Sequence, residues 1–283
     1  MFKSANVPKL RITVLLLLYI ISTDNSKAQN KEQDSASKNI ISSQLYTNKI
    51  LLNKDSEEAK QVNEDDKKVF NNVDLQFGAE FVSRYVWRGI DIGDTPNIQP
   101  TISFIYGGLE LGMWASYPLS VLSSSNNEQD LFLSYTYDAD GSNYSVILTD
   151  YYFPNAGLKF QNWDGNGNGA HTVEIAASYS SPIDNSVNLF AAYNIYNDTD
   201  NSFYLEAGYS VSLRNIPINF SVGGAKGKSS WHGINTKRFE LTNLGVKTSK
   251  EVQVSKNLLI SVSASYIINF YVGKSYLVFG IGI

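Results

Sequence analysis

The sequence predicts an all-β protein, a transmembrane antiparallel up-and-down β-barrel of about 12 strands. Three observations lead to this prediction. From Val73 onward, apolar and polar residues alternate in short runs that are separated by turn residues. The connections between the runs alternate between long and short, which is typical of a barrel whose two rims face different compartments. Tyr and Trp residues fall near the predicted strand ends, where the two membrane interfaces would lie.

The N-terminus, residues 1–28, has the three parts of a secretory signal peptide. Lys3, Lys9 and Arg11 form a basic start, residues 12–21 form an apolar core, and Ala28 completes a small-residue cleavage site. The apolar core is much shorter than the roughly 20 residues that cross a bilayer as a helix. We therefore expect cleavage near Ala28, export, and localisation in the bacterial cell outer membrane.

Residues 29–72 differ from the rest of the chain in composition and in residue pattern. They are rich in Ser, Asn, Lys, Asp and Glu and show no strand-like alternation. We interpret them as a polar periplasmic leader, flexible or helical. The alternating pattern begins at Val73 and runs to the last residue, so residues 73–283 are the predicted barrel.

Composition limits the chemistry. The chain has no Cys, which excludes disulfide bonds and thiolate catalysis and leaves no cysteine for lipid attachment. Only 18% of the residues are charged, whereas 18 are Tyr and 14 are Phe, as expected for strands with one apolar and one polar face. Without the signal peptide, 19 basic and 26 acidic residues remain, a net charge of −7 with no basic stripe. We therefore expect no nucleic-acid partner.

The predicted strands follow one another with little chain between them. In the first strand, 73–88, the odd positions from Val73 to Trp87 are almost all apolar, while the even positions are mostly polar or charged. Side chains alternate between the two faces of a strand, so one face suits lipid and the other a polar lumen. The twelve predicted strands are 73–88, 96–107, 108–118, 128–137, 142–152, 170–180, 186–197, 202–212, 215–226, 237–250, 257–270 and 273–283.

The connections and the aromatic residues support this assignment. The longer connections, at 89–95, 119–127, 153–169 and 227–236, would be extracellular, and the short turns would be periplasmic, although 198–201 and 271–272 fit less well. Outward positions near strand ends hold Tyr85, Trp87, Tyr106, Tyr117, Tyr137, Tyr144, Tyr152, Tyr179 and Phe239. A soluble β-sandwich also shows alternation, but it does not explain the signal peptide, the loop lengths and the aromatic positions together.

Enzyme, metal and cofactor chemistry find little support. A 12-stranded barrel with a Ser–His pair would be an outer-membrane hydrolase, but His171 has only Asp150 in predicted reach and no Ser beside both. His232 lies in a Ser/Gly-rich loop. Residues 164–169 begin like a calcium loop, yet the position that requires a Glu is Ile175. We expect no enzyme, no cofactor and no metal site.

Four segments carry a resemblance to a known family. They are residues 81–91 (FVSRYVWRGID), 112–116 (GMWAS), 128–131 (EQDL) and 150–154 (DYYFP). Together they resemble the bacterial outer-membrane family known as Gcw_chp, whose members carry the label of TorF-type porins. The resemblance is strongest over 81–154 and does not cover 29–72. It implies an exported barrel and says little about the substrate.

The inward charges suggest a function. In a closed barrel, Arg84 and Arg88 on the first strand would lie beside Lys274 on the last and form a basic seam. The acidic residues Glu174, Glu206, Glu128 and Asp130 would lie on the opposite walls. Arg84, Glu174 and Glu206 would share one level, because each lies four residues from the extracellular end of its strand. Trp114 and Phe132 would also point inward and narrow the lumen.

We therefore expect a porin-like channel for small polar or zwitterionic solutes, constricted at these charges. Outer-membrane lipid would surround the barrel. Three alternatives stay open. The charges pair across a collapsed lumen and hold the barrel shut, or the barrel is a non-conducting structural one that presents its loops to partners. The third, which the residues favour least, is an outer-membrane hydrolase.

Overall fold

The computed structural model describes residues 73–120, 126–182, 186–214, 216–256 and 258–283. The predicted signal peptide and leader lie outside the described residues. Within these ranges, no helix is long and apolar enough to cross a membrane.

The described ranges contain fourteen strands. They are β1 (Val73–Val82), β2 (Tyr85–Trp87), β3 (Ile90–Gly93), β4 (Asn97–Tyr106), β5 (Leu109–Pro118), β6 (Glu128–Ala139), β7 (Ser142–Tyr152), β8 (His171–Ser180), β9 (Val187–Tyr196), β10 (Phe203–Leu213), β11 (Ile216–Lys226), β12 (Phe239–Ser255), β13 (Leu258–Asn269) and β14 (Lys274–Gly282).

Twelve of these strands close into a single barrel, and β2 and β3 form a separate two-stranded sheet. From β4 to β14, each strand pairs antiparallel with its neighbours along the chain. β1 pairs with β4 from Val73 opposite Tyr106 to Val82 opposite Asn97. The barrel closes where Glu80–Val82 of β1 pair with Gly282–Gly280 of β14. The predicted 12-stranded antiparallel barrel is confirmed, and a two-sheet sandwich is excluded.

The two faces of the wall differ as the alternation predicts. On β5, Leu111 and Met113 are about half exposed on the outer face, whereas Glu110 and Trp114 are buried inside the barrel. Most of the outward Tyr and Phe residues named from the sequence are likewise exposed: Tyr106, Tyr117, Tyr137, Tyr144 and Phe239. The outer surface is therefore a continuous apolar belt, and the lumen is lined largely by polar side chains.

The first predicted strand requires a correction. We expected it to run from 73 to 88, but β1 ends at Val82 and the chain bends at residues 83 and 84. Tyr85 and Trp87, expected at a membrane interface, are buried inside the barrel at 6% and 9% exposure. Their alternation with polar residues is real, but it belongs to an inner hairpin. The other barrel strands lie close to their predicted positions, and β12 extends further, to Ser255.

Candidate functional site: a hairpin inside the barrel

Residues 83–96, which we call the lumen hairpin, enter the barrel between β1 and β4. Strands β2 and β3 pair Trp87 with Ile90, so Arg88 and Gly89 form a two-residue turn. Both have positive φ, 50° and 80°, as a type I′ hairpin turn requires. Gly adopts this conformation without strain, but for Arg it costs on the order of 1 kcal/mol. Contacts of the Arg88 side chain must therefore hold it there.

The main contact of Arg88 is a buried ion pair across the lumen. Its Nη1 and Nη2 donate to Oε2 and Oε1 of Glu174 on β8, each at 2.7 Å. The Tyr151 hydroxyl donates to the same carboxylate at 3.1 Å. Both charged side chains are less than a tenth exposed. This parallel, two-bond geometry is the strongest that an Arg and a carboxylate can form.

Aromatic rings enclose the guanidinium. Its Cζ lies 4.3 Å from the ring centre of Trp87, 4.7 Å from that of Tyr204 and 5.3 Å from that of Phe190. Such cation–π contacts strengthen when they are desolvated. The Tyr204 hydroxyl donates to Glu206 at 2.6 Å, and Asn243 donates to the same Glu206 oxygen at 2.6 Å. Glu206 is thus connected to Arg88 through Tyr204.

The tip of the lumen hairpin touches a third part of the wall. The side-chain amide of Asn269 on β13 donates to the carbonyl of Gly89 at 3.0 Å. A Cβ added to Gly89 would lie 1.8 Å from the carbonyl oxygen of Thr242 on β12. The hairpin therefore starts at the rim between β1 and β4 and contacts β8, β12 and β13. Only a residue without a side chain fits at position 89 of the turn.

A second segment, the 227–238 loop, fills the lumen beside the hairpin. The ring of His232 lies nearly parallel to those of Trp87 and Tyr204, with centres 5.4 Å and 5.6 Å away. Its Nδ1 is 2.9 Å from the hydroxyl of Ser229, which is fully buried. Burial and the charge of Arg88 lower the pKa of His232 to about 3. The ring is therefore neutral at neutral pH.

The base of the lumen hairpin lines an open cavity at the barrel mouth. Arg84 Nη1 contacts carboxylate oxygens of Asp91 and Asp94, each at 2.5 Å. The cavity holds about 300 Å³ and is also lined by Lys274 and Tyr276. The guanidinium of Arg84 lies 5.8 Å from the Tyr276 ring centre. Both signs of charge are thus present at this entrance.

The seven charged residues named from the sequence fall into three groups. Arg88 and Glu174 meet directly, and Glu206 joins them through Tyr204. Arg84 and Lys274 lie at the mouth cavity. Glu128 and Asp130 are buried on β6, near Tyr85 of the lumen hairpin.

The expected basic seam is therefore incomplete. Arg88 leaves the wall with the hairpin and is drawn to the acidic side, so only Arg84 and Lys274 remain together. Arg84, placed from the sequence at the level of Glu174, has its ion pairs with Asp91 and Asp94 instead. That these charges constrict an open pore stays a prediction.

The sequence reasoning missed the aromatic half of the site. Trp87, Tyr151, Tyr204 and His232 received no role inside the lumen, although Trp114 and Phe132 were correctly placed there. One signal was available: Arg88-Gly89 stands between two short runs rich in aromatic and β-branched residues, which is the pattern of a two-residue hairpin. The apolar–polar alternation continues from Val73 through this segment without a break, so it favours one long strand, 73–88, over a hairpin.

The other histidine, His171, has hydrogen-bond partners on β7 and in the chain that follows it. His171 contacts Asp150 as the sequence suggested, with Nδ1 2.9 Å and 3.1 Å from the two carboxylate oxygens. Both of its ring nitrogens are occupied, because Nε2 lies 2.6 Å from the carbonyl of Phe160. In the part of the chain that the structure describes, no cluster of three or more His, Cys, Asp or Glu residues could hold a metal ion.

Comparison with known protein families gives a match that covers most of the described residues. A family model described as a bacterial protein of unknown function, Gcw_chp, matches residues 69–267. The matched region begins just before β1 and ends within β13, so it includes the lumen hairpin, Glu174 and the 227–238 loop. A search of curated proteins found no match.

Proposed function

The chain belongs to the Gcw_chp family of bacterial proteins of unknown function, and on the basis of its barrel we propose that it is an outer-membrane channel for small polar solutes, closed at rest by the lumen hairpin. The resemblance of its motifs to TorF-type porins agrees with this proposal. So do the features of residues 1–28 that are typical of an export signal.

The contrast between the two faces of the wall carries the proposal. The outer face exposes large apolar side chains on all twelve barrel strands, far more than a soluble monomer exposes. The inner face buries polar side chains, among them Gln99, Ser103, Ser116, Ser134, Thr149, Asn188, Ser210 and Ser263. A polar lining inside an apolar belt is the pattern of a water-filled lumen in a membrane barrel.

Arg88 and Glu174 would form the constriction. Their opposite charges face each other across the lumen at 2.7 Å, within a ring of aromatic side chains. When the hairpin pivots at residues 83 and 84, Glu174 and Glu206 are left on one wall. Lys274, and Arg84 at the pivot itself, remain at the mouth. Separated charges of opposite sign in a narrow tube favour polar and zwitterionic solutes over apolar ones.

The hairpin is held by interactions that can be broken reversibly. One ion pair, the packing of aromatic rings and a hydrogen bond from Asn269 hold its tip, and no covalent link does. The chain bends at residues 83 and 84 between β1 and β2, which gives the hairpin a place to pivot.

A specific observation favours a second candidate, a non-conducting barrel. Two clusters of buried side chains cross the lumen, one around Trp87, Trp114 and Phe132 and one around Tyr204 and Ile234. A barrel filled in this way could serve as a rigid support that presents its loops to partners. We propose no hydrolytic role, because Ser229, the serine that contacts His232, is fully buried.

Conductance in planar bilayers separates the two candidates. We expect rare, small openings from the wild-type protein and a conductance several-fold larger from a variant in which Gly-Ser residues replace 84–94. Both proteins should first show the heat-dependent gel mobility of a folded barrel. If neither folded protein shows openings, the lumen does not conduct and the second candidate holds.

A further inference from the structure

The loop that joins β7 to β8, residues 153–170, lies against the outside of the barrel. Asp150 and Tyr152 share the face of β7 that exposes Leu148, and His171 shares the face of β8 that exposes Ile175. These residues therefore stand on the outer surface at the end of the wall. Yet His171 is fully buried. The loop must fold down over it, since this ring points away from the lumen.

The imidazole of His171 fastens this loop to the wall. Its Nδ1 faces the Asp150 carboxylate and its Nε2 faces the Phe160 carbonyl at 2.6 Å. A carbonyl only accepts hydrogen bonds, so Nε2 is the donor in the contact with Phe160. The indole of Trp163 covers the imidazole face to face, with ring centres 3.8 Å apart.

A second attachment fixes the far end of the loop. The Asn197 side chain accepts a hydrogen bond from the Gly167 amide at 2.6 Å and donates to the Gly169 carbonyl at 3.0 Å. The Tyr196 hydroxyl donates to the Trp163 carbonyl. The loop therefore has a defined position, although it is rich in Gly and Asn.

This held loop presents apolar side chains outward. Leu158, Phe160 and Trp163 are 39%, 55% and 51% exposed. They continue the exposed belt of the wall beyond the last residues of β7 and the first of β8. Lys159 is exposed between two of them. Trp, Phe and Lys side by side are suited to the boundary between acyl chains and anionic headgroups.

We propose that the 153–170 loop is an interfacial anchor, in which Leu158, Phe160 and Trp163 contact the outer-leaflet lipid at the headgroup boundary while Lys159 faces its anionic groups. The partner is the lipid surface itself. The proposal rests on the membrane placement contained in the proposed function, but not on conduction. The 153–170 loop is rich in Asn and Gly, so it exposes many polar amide groups. Unpaired amides are costly in the hydrocarbon interior, which keeps the loop at the headgroup boundary.

The absence of native Cys allows a direct test by single-cysteine spin labelling in nanodiscs of anionic lipid. The label is placed at Leu158→Cys, with Leu148→Cys in the wall belt and Lys237→Cys, an exposed residue near the end of the 227–238 loop, as references. Relaxation by lipid-soluble oxygen is compared with relaxation by a water-soluble nickel complex. We expect the 158 label to respond more to oxygen than to nickel, at a depth shallower than the 148 label.

Three results would overturn the anchor. In the first, the 158 label responds mainly to nickel, as the 237 label does, while the 148 label responds to oxygen. The barrel is then inserted but the loop lies in water. If both 148 and 158 respond only to nickel, the membrane placement fails as well. If 158 is shielded from both reagents and shows spin–spin broadening, a second copy of the chain covers the loop. A Trp163→Ala change should shift the 158 label toward water, because it removes the ring that covers His171.

Discussion

At the scale of single residues, Arg88 combines an unfavourable backbone with a very favourable side chain. Its left-handed conformation costs on the order of 1 kcal/mol. Removing one partner of a buried, two-bond ion pair costs roughly 3–5 kcal/mol, because the other charge stays buried alone. The side-chain contacts therefore outweigh the backbone cost, and the conformation of the turn depends on the presence of Glu174.

We predict that Arg88→Ala weakens the docking of the lumen hairpin by roughly 3–5 kcal/mol, the cost of leaving Glu174 buried without its partner. Arg214→Ala is a matched control, since Arg214 has the same φ of 50° in an exposed turn. Single-channel recording should show a large rise in open probability for Arg88→Ala and little change for Arg214→Ala. Equal effects would mean that the ion pair does not hold the hairpin.

The second residue prediction concerns Gly89. Gly89→Ala would place a methyl group 1.8 Å from the carbonyl oxygen of Thr242, so the tip would have to withdraw from β12. Gly107→Ala is the control, because Gly107 also has positive φ but nothing within 4 Å of an added Cβ. We expect limited proteolysis to cut 83–96 much faster in Gly89→Ala than in wild type or Gly107→Ala. Equal cleavage rates would refute this account of the tip.

At the scale of elements, the 227–238 loop and the lumen hairpin hold each other in place. The hairpin supplies Trp87, against which His232 stacks. On its other side the loop is held by Asp200, whose carboxylate accepts a hydrogen bond from the Ser230 amide. Hydrogen bonds from the amide and hydroxyl of Ser230 lower the pKa of Asp200 below its ordinary value of 3.8. That tie is present above pH 3.8 and weakens only as the pH falls further.

Acid should therefore release the loop through His232 rather than through Asp200. Docked, His232 has a pKa of about 3, because burial and the charge of Arg88 oppose its protonation. When the loop is undocked, the pKa of His232 returns to its ordinary value near 6.5. Below that pH the undocked ring is protonated, whereas the docked ring stays neutral. Docking thus loses about 1.4 kcal/mol per pH unit as the pH falls from 6.5 toward 3.

Conductance recorded between pH 7.5 and 4.5 tests this release. We expect opening to increase in wild type as the pH falls below 6.5. His232→Phe keeps a ring between Trp87 and Tyr204 but cannot titrate, so its curve should stay flat in this range. A wild-type and a variant curve of the same slope would assign the pH response to other groups.

At the scale of the whole molecule, the parts of the fold that were predicted are those that depend on local pattern. A strand in a barrel wall has one face in each environment, so alternation in the sequence is enough to place β4 to β14. The lumen hairpin has the same alternation, but its apolar residues face a packed lumen instead of the outer surface of the barrel. Apart from the Arg88-Gly89 turn pattern, residues 83–96 contain little that distinguishes these two environments, because the difference lies in distant partners such as Glu174 and Tyr204.

A whole-molecule prediction concerns residues 29–72. The wall is complete from Val73 onward, with β1 paired along its full length to β4. Deleting 29–72 while keeping residues 1–28 should therefore leave assembly unchanged. Outer-membrane fractionation and the gel mobility of unboiled samples measure this. Loss of the heat-dependent mobility shift on deletion would show that this segment is needed to build the barrel.

The wall is not equally complete around its circumference. β1 meets β4 from Val73 to Val82, but it meets β14 only over Glu80–Val82, with flanking bonds from Ala79 and Ser83. These partners are about 200 residues apart in the chain, so joining them carries the largest loop-closure entropy of any strand pair. The β1–β14 pairing should therefore be the last to form during assembly and the first to open in the folded barrel. Hydrogen exchange should accordingly be faster at the amides of β14 that bond to β1 than at those that bond to β13.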